Sequence, residues 1–157
     1  MSSFSHLDES GKPRMVDVGD KAVTRRTATA CGTVVFEPDM WAALQAGGFA
    51  TKKGSVMDIA VIAGIQGVKQ CAQLIPLCHP LPVTGVDVQI TPKDHQLVIT
   101  CTVKVDGKTG VEMEALTGVT TAALTVYDMC KAFGHGMHIE GVALLEKTGG
   151  KSDLHRG

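Results

Sequence analysis

The segment SVMDIAVIAGIQGVKQCAQL, Ser55 to Leu74, restricts what this chain can fold into more than any other. Val61, Ile65, Val68, Ala72 and Ile75 recur at the spacing that lines one face of an α-helix, and Pro76 ends the run. Within it stand Gly64 and Gly67, each of which weakens a helix by about 1 kcal/mol relative to alanine. A long helix that keeps two such residues implies close approach of another backbone, so a second element must pack tightly against it.

The rest of the chain supplies candidates. TATACGTVVF (27–36) is small and β-branched and reads as a strand, followed by a short helix that Pro38 opens and Gly47-Gly48 closes. VTGVDVQIT (83–91) and QLVITCTVKV (96–105) read as two strands of a hairpin connected by Pro92-Lys-Asp-His95. A second long helix runs through EALTGVTTAALTVYDMCKAF to a glycine cap at Gly134, and HIEGVALLEK (138–147) is the last strand. Without the short helix the order is β-α-β-β-α-β. That is the split βαβ, ferredoxin-like α+β arrangement, an antiparallel sheet with helices on one face. At 157 residues the chain reads as one domain, 1–157, with a polar arm over 1–25 that needs a partner surface to order it, a core over 27–148 and a tail over 149–157.

A net charge of −1 and an aromatic content of 4% argue against nucleic acid as partner. Cys31, Cys71, Cys78, Cys101 and Cys130 are scattered, odd in number and without a C-x-x-C pair, which fits buried thiols in a reducing compartment. The opening MSSFSHLDESGKPRM has no apolar h-region, and no apolar run reaches membrane-spanning length, so a soluble, cytoplasmic protein is expected.

Several motifs could carry chemistry. Gly107-Lys108-Thr109 and Gly150-Lys151-Ser152 end like P-loops, but Thr102 and Leu145 occupy the positions of the obligatory first glycine. Thr109-Gly-Val-Glu112 fits a capping box. Glu112 and Glu114 share one face if VEMEA is extended and point nearly opposite ways if it is helical. Asp128 and Lys131, three residues apart, are within pairing reach, either as a solvated surface pair or as a carboxylate that tunes a catalytic ammonium. Glu114 and Asp128 are separated by about 21 Å of helix yet lie within roughly 40° of the same face. Two such helices packed antiparallel about a two-fold would bring each Glu114 towards the other chain's Asp128 and Lys131, which predicts a composite site in a homo-oligomer.

Arg25, Arg26, Lys52, Lys53, Lys147 and Lys151 could together receive a polyphosphate. In PLCHPLP, Cys78 and His79 sit between prolines, which leaves three readings: a metal site, a rigid turn, or a stiff pocket wall contacting substrate. His135 and His138 are the only other close histidine pair. A zinc site would need three or four ligands at recognisable spacing, and nothing forms a dedicated magnesium site.

In combination, HLDESGKPRMVDVGDKAVTRRTA, IAGIQGVKQCAQLIPLCHPLPVTGV, KTGVEMEALTGVTTAALTVYDMCKA and LLEKTGGKS resemble the molybdenum cofactor biosynthesis protein C (MoaC) family, the cyclic pyranopterin monophosphate synthases, over roughly residues 6–152. The resemblance implies a ferredoxin-like subunit in a hexamer, a trimer of dimers with active sites at dimer interfaces. It implies a small-molecule substrate, 3′,8-cyclised dihydro-GTP, turned into cyclic pyranopterin monophosphate and pyrophosphate. No cofactor is required, and Mg2+ enters only as a companion of the triphosphate. By motif, Lys53 and Lys131 correspond to the family's catalytic lysines, while Asp128, His79, Glu112 and Glu114 fall on its pocket residues. Arg26 and Lys147 match its basic substrate-binding positions, and the pocket-wall reading adds Cys78 beside His79. Ser55 stands where many relatives carry an acidic residue, and Lys52 is the alternative to Lys53.

The reaction opens and recloses a purine-derived ring, which takes proton transfers, and lets a hydroxyl attack the α-phosphorus as pyrophosphate leaves. Asp128 beside Lys131 favours the ammonium, so Lys131 suits a general acid, with Lys53 as acid/base or phosphate-positioning residue. Two other classes compete. A ligand-binding module without turnover would not need Lys131, Asp128 and both glutamates together. An RNA-binding domain would need exposed strand aromatics that VDVQIT and VITCTVKV lack.

Overall fold

In the computed structural model, which describes residues 5–157, the main elements are β1 (Thr24–Phe36), α1 (Pro38–Ala46), α2 (Val56–Lys69), α3 (Cys71–Leu74), β4 (Gly85–Lys93), β5 (Gln96–Gly107), α4 (Glu112–Cys130) and β6 (Met137–Thr148). Two-residue strands β2 (Ala50–Thr51) and β3 (Gly54–Ser55) make a small hairpin before α2, and β7 (Leu154–His155) lies in the tail. Strand order in the main sheet is β4-β5-β1-β6-β7, all neighbours antiparallel. Its four long strands and two long helices form the expected ferredoxin-like arrangement.

β1 sits centrally because its alternation is complete: Ala28, Ala30, Val34 and Phe36 are buried, while Thr27, Thr29 and Thr33 face the other side. β5 matches it with Leu97, Ile99, Cys101, Val103 and Val105, all fully buried beneath α2 and α4. The β4–β5 connection is tighter than Pro92–His95 suggests, since pairing continues to Lys93↔Gln96. Only Asp94 and His95 form the turn, and both have positive φ, 48° and 63°, as a two-residue hairpin turn requires. Pro92 is tolerated because β4 is an edge strand.

The glycines do what the sequence demands of them. A Cβ on Gly64 would lie 3.1 Å from the Gly118 carbonyl oxygen, and one on Gly118 would lie 2.7 Å from Cys101 Sγ and 2.8 Å from Val68 Cγ2. The buried face of α2 is accordingly Val56, Ala60, Gly64, Gly67 and Val68. The expected stripe is therefore shifted: Val61 and Ile65 flank the contact half-buried, because the bare backbone at the glycines goes innermost.

One long helix from Ser55 to Leu74 is also corrected. Ser55 is the N-cap, accepting from the Asp58 amide, and the helix breaks at Gln70 (φ −98°, ψ 3°). There the Gln70 amide closes back onto Gln66 and Gly67, and Cys71 turns inward beneath the Thr117 hydroxyl, 3.4 Å away. Thr109 does not cap α4, whose N-cap is Val111 with no side-chain bond; Glu112 opens the helix instead.

Of the arm expected over 1–25, residues 1–4 lie outside the described residues. Residues 5–23 carry one isolated bridge, Leu7↔Pro13, and then run along the domain to β1. In the tail, β7 pairs Leu154 with Lys147 and His155 with Glu146.

Gly118→Ala is expected to destabilise the fold by about 1–3 kcal/mol despite alanine's better helix propensity, because the methyl has no space to enter. Urea unfolding monitored by circular dichroism measures it; an unchanged or raised midpoint would refute the packing account.

Candidate active site

Helix α4 carries chemistry at both ends. At its C-terminal end Asp128 accepts from two lysines, from Lys131 Nζ at 2.8 Å through Oδ1 and from Lys53 Nζ at 2.9 Å through Oδ2. Lys53 also donates to the Asp128 carbonyl at 3.3 Å. It arrives there because Lys52 and Lys53 form the turn of the β2–β3 hairpin, which closes at Gly54 with φ 119°, while the Lys53 amide bonds the Thr51 hydroxyl. Lys53, rather than Lys52, is the one that reaches Asp128. All three side chains are about half exposed, so the cluster matters for where it holds charge rather than for stability. Hydrogen bonds from Lys131 and then Lys53 bring the Asp128 carboxyl down to about 2, and Asp128 in return raises the Lys131 ammonium above the ordinary lysine range.

At the N-terminal end a pocket is lined by Cys78, His79, Glu112 and Glu114, with Val16 and Lys21 from the segment before β1. Glu114 is only 4% exposed and is the one charged residue in the buried set among the described residues. Burial pushes its carboxyl above the ordinary glutamate range, and nearby Glu112 adds to the shift. Both glutamates belong to the first helical turn, yet both line the pocket, because it wraps around the helix end. Glu112 Oε1 lies 3.4 Å from Lys147 Nζ on β6. Arg26 bonds the carbonyls of Gly107 (3.0 Å) and Lys108 (3.2 Å) and lines an adjoining hollow with Lys21, Lys151 and the Gly149-Gly150 backbone.

His79 Nε2 donates to the carbonyl of Val16, which fixes a proton on that nitrogen. Among the described residues no three His, Cys, Asp or Glu side chains gather as a metal site. His135 and His138 take separate partners, the Tyr127 hydroxyl at 3.0 Å and Glu140 at 2.9 Å. Within the single chain, then, the residues expected to act together fall into two groups, Lys53, Asp128 and Lys131 at one end of α4 and Arg26, Cys78, His79, Glu112, Glu114 and Lys147 at the other.

Sequence reasoning missed the contribution of residues 16–21, in particular Lys21, and of Lys108. The available signal was VDVGD, where Val16 and Val18 alternate around the aspartate of an Asp-x-Gly turn: Asp17 Oδ1 accepts from the Gly19 amide at 2.8 Å.

Residues 15–150 match the family described as the MoaC family. The chain belongs to the MoaC family. Similar curated proteins are named cyclic pyranopterin monophosphate synthase. One from Xanthomonas campestris pv. campestris (strain B100) is 52% identical over 152 residues, 96% of this chain and 92% of its own length. Another from Lysinibacillus sphaericus (strain C3-41) is 49% identical over 97% of this chain and 96% of its own length. A third from Brevibacillus brevis is 50% identical, with 98% and 96% covered. No helix among the described residues is long and apolar enough to cross a membrane.

Because burial penalises Glu114 only when it is ionised, Glu114→Gln is expected to raise the melting temperature relative to wild type at neutral pH. The sign follows from the raised folded-state value: wild-type stability falls as pH climbs from the unfolded glutamate range through the folded one. The advantage should shrink towards pH 4, where both side chains are neutral. Melting curves across pH check it, and a constant difference would refute it.

Proposed function

We propose that this protein is a cyclic pyranopterin monophosphate synthase, a lyase of molybdenum cofactor biosynthesis, acting on 3′,8-cyclo-7,8-dihydro-GTP with release of pyrophosphate. The observation that carries the reading is Asp128 held between Lys53 and Lys131. Asp128 draws two ammoniums from separate segments to one place and holds them there, an arrangement suited to proton donation and phosphate contact. Lys131 donates a proton as the purine-derived ring is opened and reclosed. Lys53 carries acid/base duty or positions phosphate. In the second half of the reaction a substrate hydroxyl attacks the α-phosphorus, the new P–O bond closes the cyclic phosphate, and the bond to the β-phosphate breaks. The hydroxyl proton passes to a basic group, and Arg26 and Lys147 offset charge on the departing pyrophosphate. Cys78, His79, Glu112 and Glu114 form the wall against the pterin-forming part. Mg2+ would travel with the triphosphate rather than occupy a resident site.

The active unit is composite. One exposed stripe of α4, Met113, Thr120 and Leu124, ends at Asp128. A second copy packed antiparallel along that stripe would bring each glutamate pocket to the other chain's lysine pair. The expected assembly is a hexamer, a trimer of such dimers, in the cytoplasm.

Incubation with enzymatically prepared 3′,8-cyclo-7,8-dihydro-GTP, followed by pyrophosphate release and oxidised-pterin fluorescence, tests the activity. Lys53→Ala and Lys131→Ala should each lower turnover by about 100-fold or more. A folded wild type without turnover would make the chain a binding relative. Co-expressing Glu114→Ala with Lys131→Ala, each inactive alone, should restore about a quarter of wild-type activity, since half of random dimers keep one intact composite site. No recovery in verified mixed dimers would place the whole site in one subunit. Finally, Asp128→Asn should move the alkaline limb of the kcat profile to lower pH, because the carboxylate that raises Lys131 is gone. An unmoved limb would remove Lys131 as the acid.

A further inference from the structure

The geometry points to Lys108 as a positioning residue: it latches residues 16–21 across the pocket so that Lys21 presents its charge to the substrate phosphates. The inference rests on the synthase reading for the identity of the substrate, but the latch itself is a matter of contacts.

Lys108 is half-buried in the connection between β5 and α4. Its Nζ donates to the Gly19 carbonyl at 2.7 Å, while its own carbonyl receives Arg26 Nη2 at 3.2 Å. A second anchor lies three residues upstream, where His79 Nε2 donates to the Val16 carbonyl. Between the anchors, Val16 and Val18 are half-buried while Asp17 faces solvent and bonds the Gly19 amide. The Lys21 amide then closes onto the Val18 carbonyl at 3.1 Å. A segment without regular secondary structure is thus held at two carbonyls, one at each end of a tight turn, and the cation follows directly.

What the latch delivers is the decisive part. Lys21 is the only lysine or arginine among the described residues lining the pocket, whose wall otherwise offers Glu112 and Glu114 as charges. It also borders the hollow formed with Arg26 and Lys151, so Lys21 is shared by the two spaces. A triphosphate approaching two glutamates needs that cation in place. The ammonium of Lys108 is committed to a backbone carbonyl instead, and a charge-assisted bond of that kind holds backbone more firmly than a neutral one. Lys108 therefore acts through Lys21.

The test uses the full chain as Lys108→Met, Lys108→Arg, Lys21→Met and the double Lys108→Met/Lys21→Met. Methionine keeps the apolar stem and removes the donor. Lys108→Met should raise KM for the cyclised dihydro-GTP about tenfold with the smaller effect on kcat, the size expected for one lost charged hydrogen bond. Lys21→Met should raise KM at least as much, and the double variant should be no worse than Lys21→Met. Hydrogen exchange without substrate should quicken about tenfold or more at the Gly19 and Lys21 amides of Lys108→Met, and Lys108→Arg should restore both readouts. Multiplying KM effects, or unchanged exchange, would overturn the proposal. Exchange needs no turnover: a wild type that turns nothing over sinks the reaction and Lys21's part in it, whereas normal turnover with unchanged exchange sinks the latch alone.

Discussion

The contact between Gly64 and Gly118 decides where everything else in this molecule can be. With no side chain on either glycine, α2 seats directly on the backbone of α4. The sequence of contacts, Lys53 to Asp128, Gly64 to Gly118, Cys71 to Thr117, shows the two helices running in opposite directions. The hairpin before α2 is thereby delivered to the C-terminal end of α4, and the proline-stiffened PLCHP turn after α3 to its N-terminal end. Neither group of polar residues positions itself; each is carried there by a helix whose depth the glycines set. The sheet below contributes by being flush, since Cys101 fills the space against Gly118 that a larger β5 residue would take.

Two carboxylates on one helix end up in opposite states for environmental reasons alone. Asp128 stands half exposed between two ammoniums and stays anionic down to about pH 2. Glu114 is buried, lies near a second carboxylate and is pushed the other way, with His79 opposing the shift only in part. Such divergence lets one helix present a fixed negative charge to lysines at one end and a readily protonated group at the other.

How much of this can be read from the chain depends on whether a feature has a period or a partner in sequence. Alternation in TATACGTVVF and the spacing of Gly64 and Gly67 are visible because each reports one element's own geometry. The order of strands and helices then limits the topology to few choices. The lysine pair is partly visible: Asp128 and Lys131 are neighbours on one helix, but Lys53 joins them across the fold, and only motif resemblance separates it from Lys52. The break at Gln70 leaves no trace, since glutamine suits a helix interior and the Thr117 hydroxyl that meets Cys71 beyond the break belongs to a distant helix. The capping box at Thr109 misleads because the local pattern is satisfied while the chain into α4 takes its cap at Val111. Least legible is the strap ahead of β1, whose carbonyls are claimed by His79 and Lys108 from distant segments. Backbone acceptors carry no residue code.

Helix α4 also constrains how this protein can change over time. Its fourteen steps from Glu114 to Asp128 act as a ruler: they fix both the span between the two polar ends and their relative rotation. Inserting or deleting one residue there would turn one end against the other by about 100°. Substitution is then the only mode of variation open to that stretch, whereas the hairpin around Lys52 and Lys53, tied at Thr51 and Asp128, can accept a change of length and still deliver its lysine.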